Sequence, residues 1–200
     1  MIWWLRIRYV PAVAAGLLAC ILLGSSANSV TVPIPVVVGG LTFDLPMSSL
    51  LPLVPVCLIL EGQARADRLT ERVAVRAVRR WDAAFMALCV LTGVVTAAVS
   101  VIAGAGTAAT ALARDFSGYL GLALILRWLG GARLASIATA VFPFACVSFG
   151  LVHNRPSIWA WPLHDATSAP AATQALLLLL AGAGSLLLPS LRREDSHDDD

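Results

Sequence analysis

Apolar runs follow one another along nearly the whole of this 200-residue chain, separated by short polar turns and by one long charged stretch, Gln63–Asp82. The runs show no strand-like alternation, and in hydrocarbon the backbone is satisfied only within a helix or a closed barrel. An all-α fold is therefore expected: a polytopic membrane helical bundle of about six transmembrane helices. At 58% hydrophobic and 13% charged residues, with a mean hydropathy of +0.83, the apolar surplus exceeds what a soluble core needs and must face lipid.

Taken in order, the spans are expected at about 10–23, 46–60, 83–103, 107–129, 134–152 and 171–188, all within a single membrane domain covering residues 1–190. Arg6 and Arg8 ahead of the first run resemble a cleavable signal, but further spans follow, so a retained first helix is expected. Residues 31–44 carry Pro33 and Pro35 beside Gly39 and Gly40, which excludes one straight helix and predicts an extended or re-entrant outer segment. The second span is expected to kink at Pro52 and Pro55, and the fifth holds Pro143 near its centre. Span four is the hardest to bound. Extending it back to Thr107 brings Arg114 and Asp115 in or near hydrocarbon, whereas Ser117 and Gly118 could equally mark a break. Residues 191–200 read as a disordered acidic tail.

All fourteen basic residues are arginines, a usage typical of a GC-rich genome, and their placement sets the topology. With both termini cytoplasmic in a plasma-membrane protein, twelve arginines fall inside and only Arg114 and Arg155 outside, as the positive-inside rule requires. Trp3, Trp4, Trp81 and Trp128 then fall at the inner interface and Trp159 and Trp161 at the outer one.

Six arginines lie in the charged stretch. Residues 63–81 read as a cytoplasmic amphipathic helix, with Arg65, Arg68, Arg72, Arg76 and Arg79 on one ridge and Arg80 beside it. Like charges at i,i+4 repel by a few tenths of a kcal/mol per pair, so the ridge calls for an anionic neighbour. Membrane lipid supplies one, at about 1 kcal/mol per Arg; a docked cytoplasmic protein supplies another.

Little else in the chain reads as chemistry. Cys20, Cys57, Cys89 and Cys146 each sit in a different apolar run, without metal-site or redox spacing. His153, His164 and Asp165 lie in an aromatic-rich outer loop and read as packing, and Asp44 as a solvated or capping carboxylate. No catalytic motif, metal site, cofactor site or nucleic-acid partner is expected, and without lysine the chain has no phosphate-binding GxxxxGK loop. The spans hold almost no ionisable groups, which argues against a proton-driven carrier. No inverted repeat relates the two halves. Gly93 with Ala97 and Gly182 with Gly184 are small-residue pairs that suit close helix packing or a homodimer.

The basic helix between spans two and three and the proline- and aromatic-rich outer segment before span six, with both ends inside, resemble the six-span permease subunits of ABC-2 type export systems. The likeness is greatest to the short permease-like membrane proteins of actinobacteria. The resemblance implies a non-enzymatic transport subunit in which Arg65, Arg68, Arg72, Arg76, Arg79 and Arg80 couple to a separate ATPase. It rests on topology and texture. The outer loop before span six is shorter than in that family and the proline-rich segment before span two longer, so a non-transporting membrane scaffold or accessory protein held by anionic lipid is the alternative expectation.

Overall fold

The computed structural model describes residues 8–27, 30–35, 42–70, 76–102, 106–152 and 155–186. The protein is mostly helical. Its elements run α1 (Val10–Ala27), β1 (Thr31–Pro35), β2 (Thr42–Pro46), α2 (Met47–Leu50), α3 (Leu53–Thr70), α4 (Arg76–Ile102), α5 (Thr107–Phe149), β3 (Leu151–Val152), β4 (Arg155–Pro156), a 3-10 turn (Trp161–Leu163) and α6 (Ala169–Ser185).

The proline-rich segment after α1 is extended, as its prolines dictate. β1 and β2 pair antiparallel, Pro33 opposite Asp44 and Val32 opposite Leu45, and a two-strand ribbon has free edges on which a proline costs no ladder bond. Ile34 and Leu45 seat the ribbon against Val147 at the end of α5. The expected second span is interrupted at Leu51 and Pro52. Pro55 lies in the first turn of α3, where a missing amide is tolerated, so α3 then continues to Thr70.

The longest element, α5, has 43 residues, but it does not run straight. Gly131 takes φ 83 and ψ 171, outside the helical region and open in practice to glycine alone. The consequence is a reversal. Tyr119 and Phe142 flank Gly131 in sequence, yet both reach the ring of Trp161, with centroids 4.8 Å and 6.0 Å away. Those two rings therefore lie within roughly 11 Å of each other, whereas a straight helix would hold them about 35 Å apart. Residues 107–130 and 132–149 are the two arms of an antiparallel helical hairpin.

The first arm is the centre of the bundle. It packs against α3, α4 and α6, and Phe116, Tyr119, Leu120, Ala123 and Leu124 are buried in the main core. Its closest neighbour is α6. A Cβ on Gly121 would overlap the Leu178–Leu179 backbone, and one on Gly182 would sit 2.6 Å from the Gly121 carbonyl oxygen. Small residues are what let two backbones approach so closely. Of the glycines singled out from sequence, Gly182 thus packs within the chain, while Gly184 has nothing within 4 Å.

The remaining helices face outward with rows of large aliphatic side chains: Leu18 and Leu22 on α1, Leu88, Leu91 and Val95 on α4, Ile137 and Val141 on α5, Leu177 and Leu180 on α6. Two stretches, Met47–Ala64 and Thr107–Phe149, are long and apolar enough to cross a membrane. Val10–Cys20, Ala84–Thr96 and Ala169–Ser185 are apolar but shorter, so among the described residues length and composition identify two spans where six were expected. The difference has identifiable sources. The reversal at Gly131 merges two expected spans into one run, and the expected ends at 103 and 187–188 lie outside the described residues. The expected acidic tail also lies outside them.

Replacing Gly121 by Val should destabilise the bundle by on the order of 3 kcal/mol, because no rotamer removes an overlap with backbone. Gly184→Ala, in open space, should leave the unfolding midpoint in detergent nearly unchanged. Equal midpoints for the two variants would contradict the close crossing of α5 and α6.

Candidate functional site

The six arginines expected to form the coupling site are divided between two long helices. Arg65 and Arg68 lie on the last turns of α3 and Arg76, Arg79 and Arg80 on the first turns of α4, while Arg72 lies outside the described residues. Residues 63–70 thus continue the helix of the second expected span, and 76–81 begin that of the third. The reason lies in the sequence: from Leu53 to Thr70 no residue follows Pro55 and Gly62 that would break a helix.

The structure brings a different set of residues together, in the arm of α5 nearest Thr107. The helix does extend back to Thr107, so Arg114 and Asp115 stand two turns inside it, and both are buried. Spans free of ionisable groups were expected; this adjacent pair is the exception. Its geometry explains how it is tolerated. Arg114 Nε donates to Asp115 Oδ1 at 3.0 Å, and Arg114 Nη1 donates to the backbone carbonyls of His164 at 3.2 Å and Asp165 at 2.7 Å. The hydroxyl of Ser49, at the end of α2, bonds the Asp115 carboxylate. Three chain segments distant in sequence therefore meet on one ion pair. A buried charge needs both a counter-ion and hydrogen bonds to its remaining polar sites, and removing one partner costs about 3–5 kcal/mol.

Around the pair lie polar atoms that are buried and have no hydrogen-bond partner among the described residues: Asp115 Oδ2, Tyr119 Oη, Trp161 Nε1 and Thr139 Oγ1. Tyr119 follows Asp115 by four residues, which puts the two on the same face, and a helical side chain leans back over the preceding turn. Tyr119 also packs on Trp161 and faces Cys146 from the second arm. Thr139 adds a backbone carbonyl whose usual helical donor is missing, because the residue four ahead is Pro143. Each unpaired buried group costs about 1–3 kcal/mol, so several within one core region mark a place where stability has been given up.

Trp161 was expected at the outer interface beside Trp159. It is instead fully buried, whereas Trp159 is 42% exposed. The 3-10 turn folds the outer segment back into the bundle, and a Cβ on Gly118 would lie 2.6 Å from the indole, so the ring is seated only because that position is glycine. The His164 ring turns away from the pair to the Ser157 carbonyl at 3.1 Å, Asp165 contributes its backbone rather than its exposed carboxylate, and Asp44 is exposed. His153 lies outside the described residues. The four cysteines are free thiols: Cys20 Sγ donates to the Leu51 carbonyl and Cys57 bonds Ser136. No group of three or more His, Cys, Asp or Glu side chains disposed to hold a metal ion occurs among the described residues.

Comparison of the chain with protein-family models, curated proteins and solved structures gives no match.

Arg114→Ala should destabilise the protein by about 3–5 kcal/mol, since it leaves a buried carboxylate without its counter-ion. Asp165→Ala, which keeps the accepting carbonyl, should shift stability by no more than about 0.5 kcal/mol. Chemical unfolding in detergent distinguishes the two; a large effect of Asp165→Ala would show that its side chain, not its backbone, holds Arg114.

Proposed function

We propose that the chain is a six-pass plasma-membrane protein with both termini cytoplasmic, acting as the permease-like subunit of an ABC-type export system. The observation that carries the topology is the sorting of the loops between the two ends of the bundle. Arg8 Nη1 donates to Gln63 Oε1 at 3.0 Å, which joins the start of α1 to the inner part of α3. The opposite end gathers the β1–β2 ribbon, the start of α5, the β3–β4 pair and the 3-10 turn, as the contacts of Val147 with the ribbon and of Arg114 with residues 164–165 require. With α5 counted as two arms, six helical segments alternate in direction. The arginines between α3 and α4 fall at the first end and the proline- and aromatic-rich segments at the second.

Outward rows of Leu, Val and Ile on α1, α4, α5 and α6 support lipid as the surround, because a soluble monomer rarely exposes such a contiguous apolar surface. Burial of both Arg114 and Asp115 fits the same reading, since intramembrane charges point into the bundle and pair. The arginine-rich ends of α3 and α4 are continuous with two spans, so a force applied to residues 63–82 passes straight into the helices that flank the central arm. This is the mechanical link a transport subunit needs if a separate polypeptide hydrolyses ATP. The chain itself is not an enzyme under this reading and carries no cofactor. A homodimer would provide the paired subunits on which two ATPase domains act.

Affinity capture of the detergent-solubilised protein is expected to recover a nucleotide-binding subunit, and charge reversal at Arg68, Arg72 and Arg76 is expected to release it. Capture of no such subunit, together with loss of binding to anionic liposomes in the reversed variant, would instead assign these arginines to lipid and the protein to a scaffold role.

A further inference from the structure

We propose that Asp115 is a proton-binding site of the bundle, its free oxygen Oδ2 taking up a proton that is then donated in a hydrogen bond to the Tyr119 hydroxyl oxygen. The proposal goes beyond the permease reading and does not depend on an ATPase.

The geometry points there in three ways. Arg114 serves only half of the carboxylate, because it meets Asp115 through Nε alone while Nη1 is engaged by the carbonyls of His164 and Asp165. A bidentate Arg–carboxylate pair would satisfy both oxygens, and this one leaves Oδ2 buried without a partner. The second observation is the Tyr119 hydroxyl, itself buried and unpartnered, one helical turn along the same face. A carboxylate and a phenol could pair directly, yet neither atom has a partner among the described residues. A protonated carboxyl supplies the missing donor, with the phenol accepting. The third is the division of Arg114's bonds: with Asp115 neutral, the guanidinium keeps two carbonyl acceptors and is not left bare.

The step is a simple one. An O–H bond forms at Oδ2, the carboxylate charge is cancelled, and the Arg114 Nε bond to Oδ1 changes from an ion pair to an ordinary hydrogen bond. No electron moves and no other reactant is needed. The charged and titratable groups near the carboxyl are Arg114 and Tyr119 on its own helix and Cys146 across the hairpin. Ser49 from α2 adds a hydroxyl, and the outer segment presents backbone carbonyls, with the His164 ring turned to Ser157 and the Asp165 carboxylate exposed. Neutralising Asp115 loosens one of the three segments that meet at the pair, so proton occupancy and the seating of the outer segment on α5 are coupled.

Infrared difference spectroscopy of the intact protein in lipid, recorded as the pH is lowered, tests this with the proton itself as probe. The expected result is a carboxyl C=O band that appears before the bulk of the exposed carboxylates titrate, is lost in Asp115→Asn, and moves to higher frequency in Tyr119→Phe as its hydrogen bond is removed. If Asp115→Asn does not fold, the Tyr119→Phe frequency shift carries the test. Absence from the wild-type spectrum of any band separable from the exposed carboxylates overturns the proposal. A band that survives Asp115→Asn also overturns it, and so does one unmoved by Tyr119→Phe.

Discussion

The reversal at Gly131 is the constraint on which the rest of the structure depends. An uninterrupted helix of 43 residues would be about 65 Å long, more than twice the hydrocarbon thickness of a bilayer. Folded at one glycine, the same residues give two arms of membrane-spanning length that pack on each other. The turn also decides which residues meet. It brings Phe142 and Cys146 alongside Tyr119, opens a slot for Trp161, and returns Val147 to the level of the β1–β2 ribbon. An L-residue with a Cβ at that position would carry roughly 1–3 kcal/mol of backbone strain, borne by the element that holds the core together.

Burying the first arm creates the second problem, because that arm carries an adjacent arginine and aspartate. Neither could stay inside the bundle alone. Carbonyls of the outer segment, supplied fifty residues later in the chain, take up the guanidinium, and Ser49 supports the carboxylate. The outer segment is in turn held by Trp161, whose seat exists because Gly118 has no side chain. The charged pair, the aromatic seat and the glycine notches are thus one assembly. What they do not satisfy, Asp115 Oδ2, Tyr119 Oη, Trp161 Nε1 and Thr139 Oγ1, remains as a polar island in an apolar core. Proteins tend to tolerate such a concentration of unmet polar groups where function requires it.

Much of the architecture was readable from local rules. Prolines at 33, 35, 52 and 55 mark where helix gives way, and the Gly130–Gly131 pair falls in the gap between the fourth and fifth apolar runs. The site was not readable in the same way. Arg114 and Asp115 look like the end of a span because hydropathy penalises charges whose partners it cannot see, and those partners are backbone atoms of residues 164 and 165. Trp161 looks like an interfacial ring because it stands two residues from Trp159 in a proline-rich loop; its burial is decided by a notch on another helix. Gly118 and Gly121 were the available signal: two glycines three apart, directly after the charged pair, invite close approach by something large on one side and by a backbone on the other. The arginines of residues 63–82 show the converse, a conspicuous charge pattern whose helical course follows from sequence while its partner does not.

A distance across the hairpin tests the fold most directly. With spin labels at Thr110 and Phe149, in a background where Cys20, Cys57, Cys89 and Cys146 are replaced, the packed arms place the labelled backbones roughly 10–20 Å apart. An unbroken helix would separate them by about 58 Å. A short distance in lipid bilayers is the result the structure predicts; a distribution centred near the long value would contradict the reversal at Gly131, and with it the shared seat of Tyr119, Phe142 and Trp161.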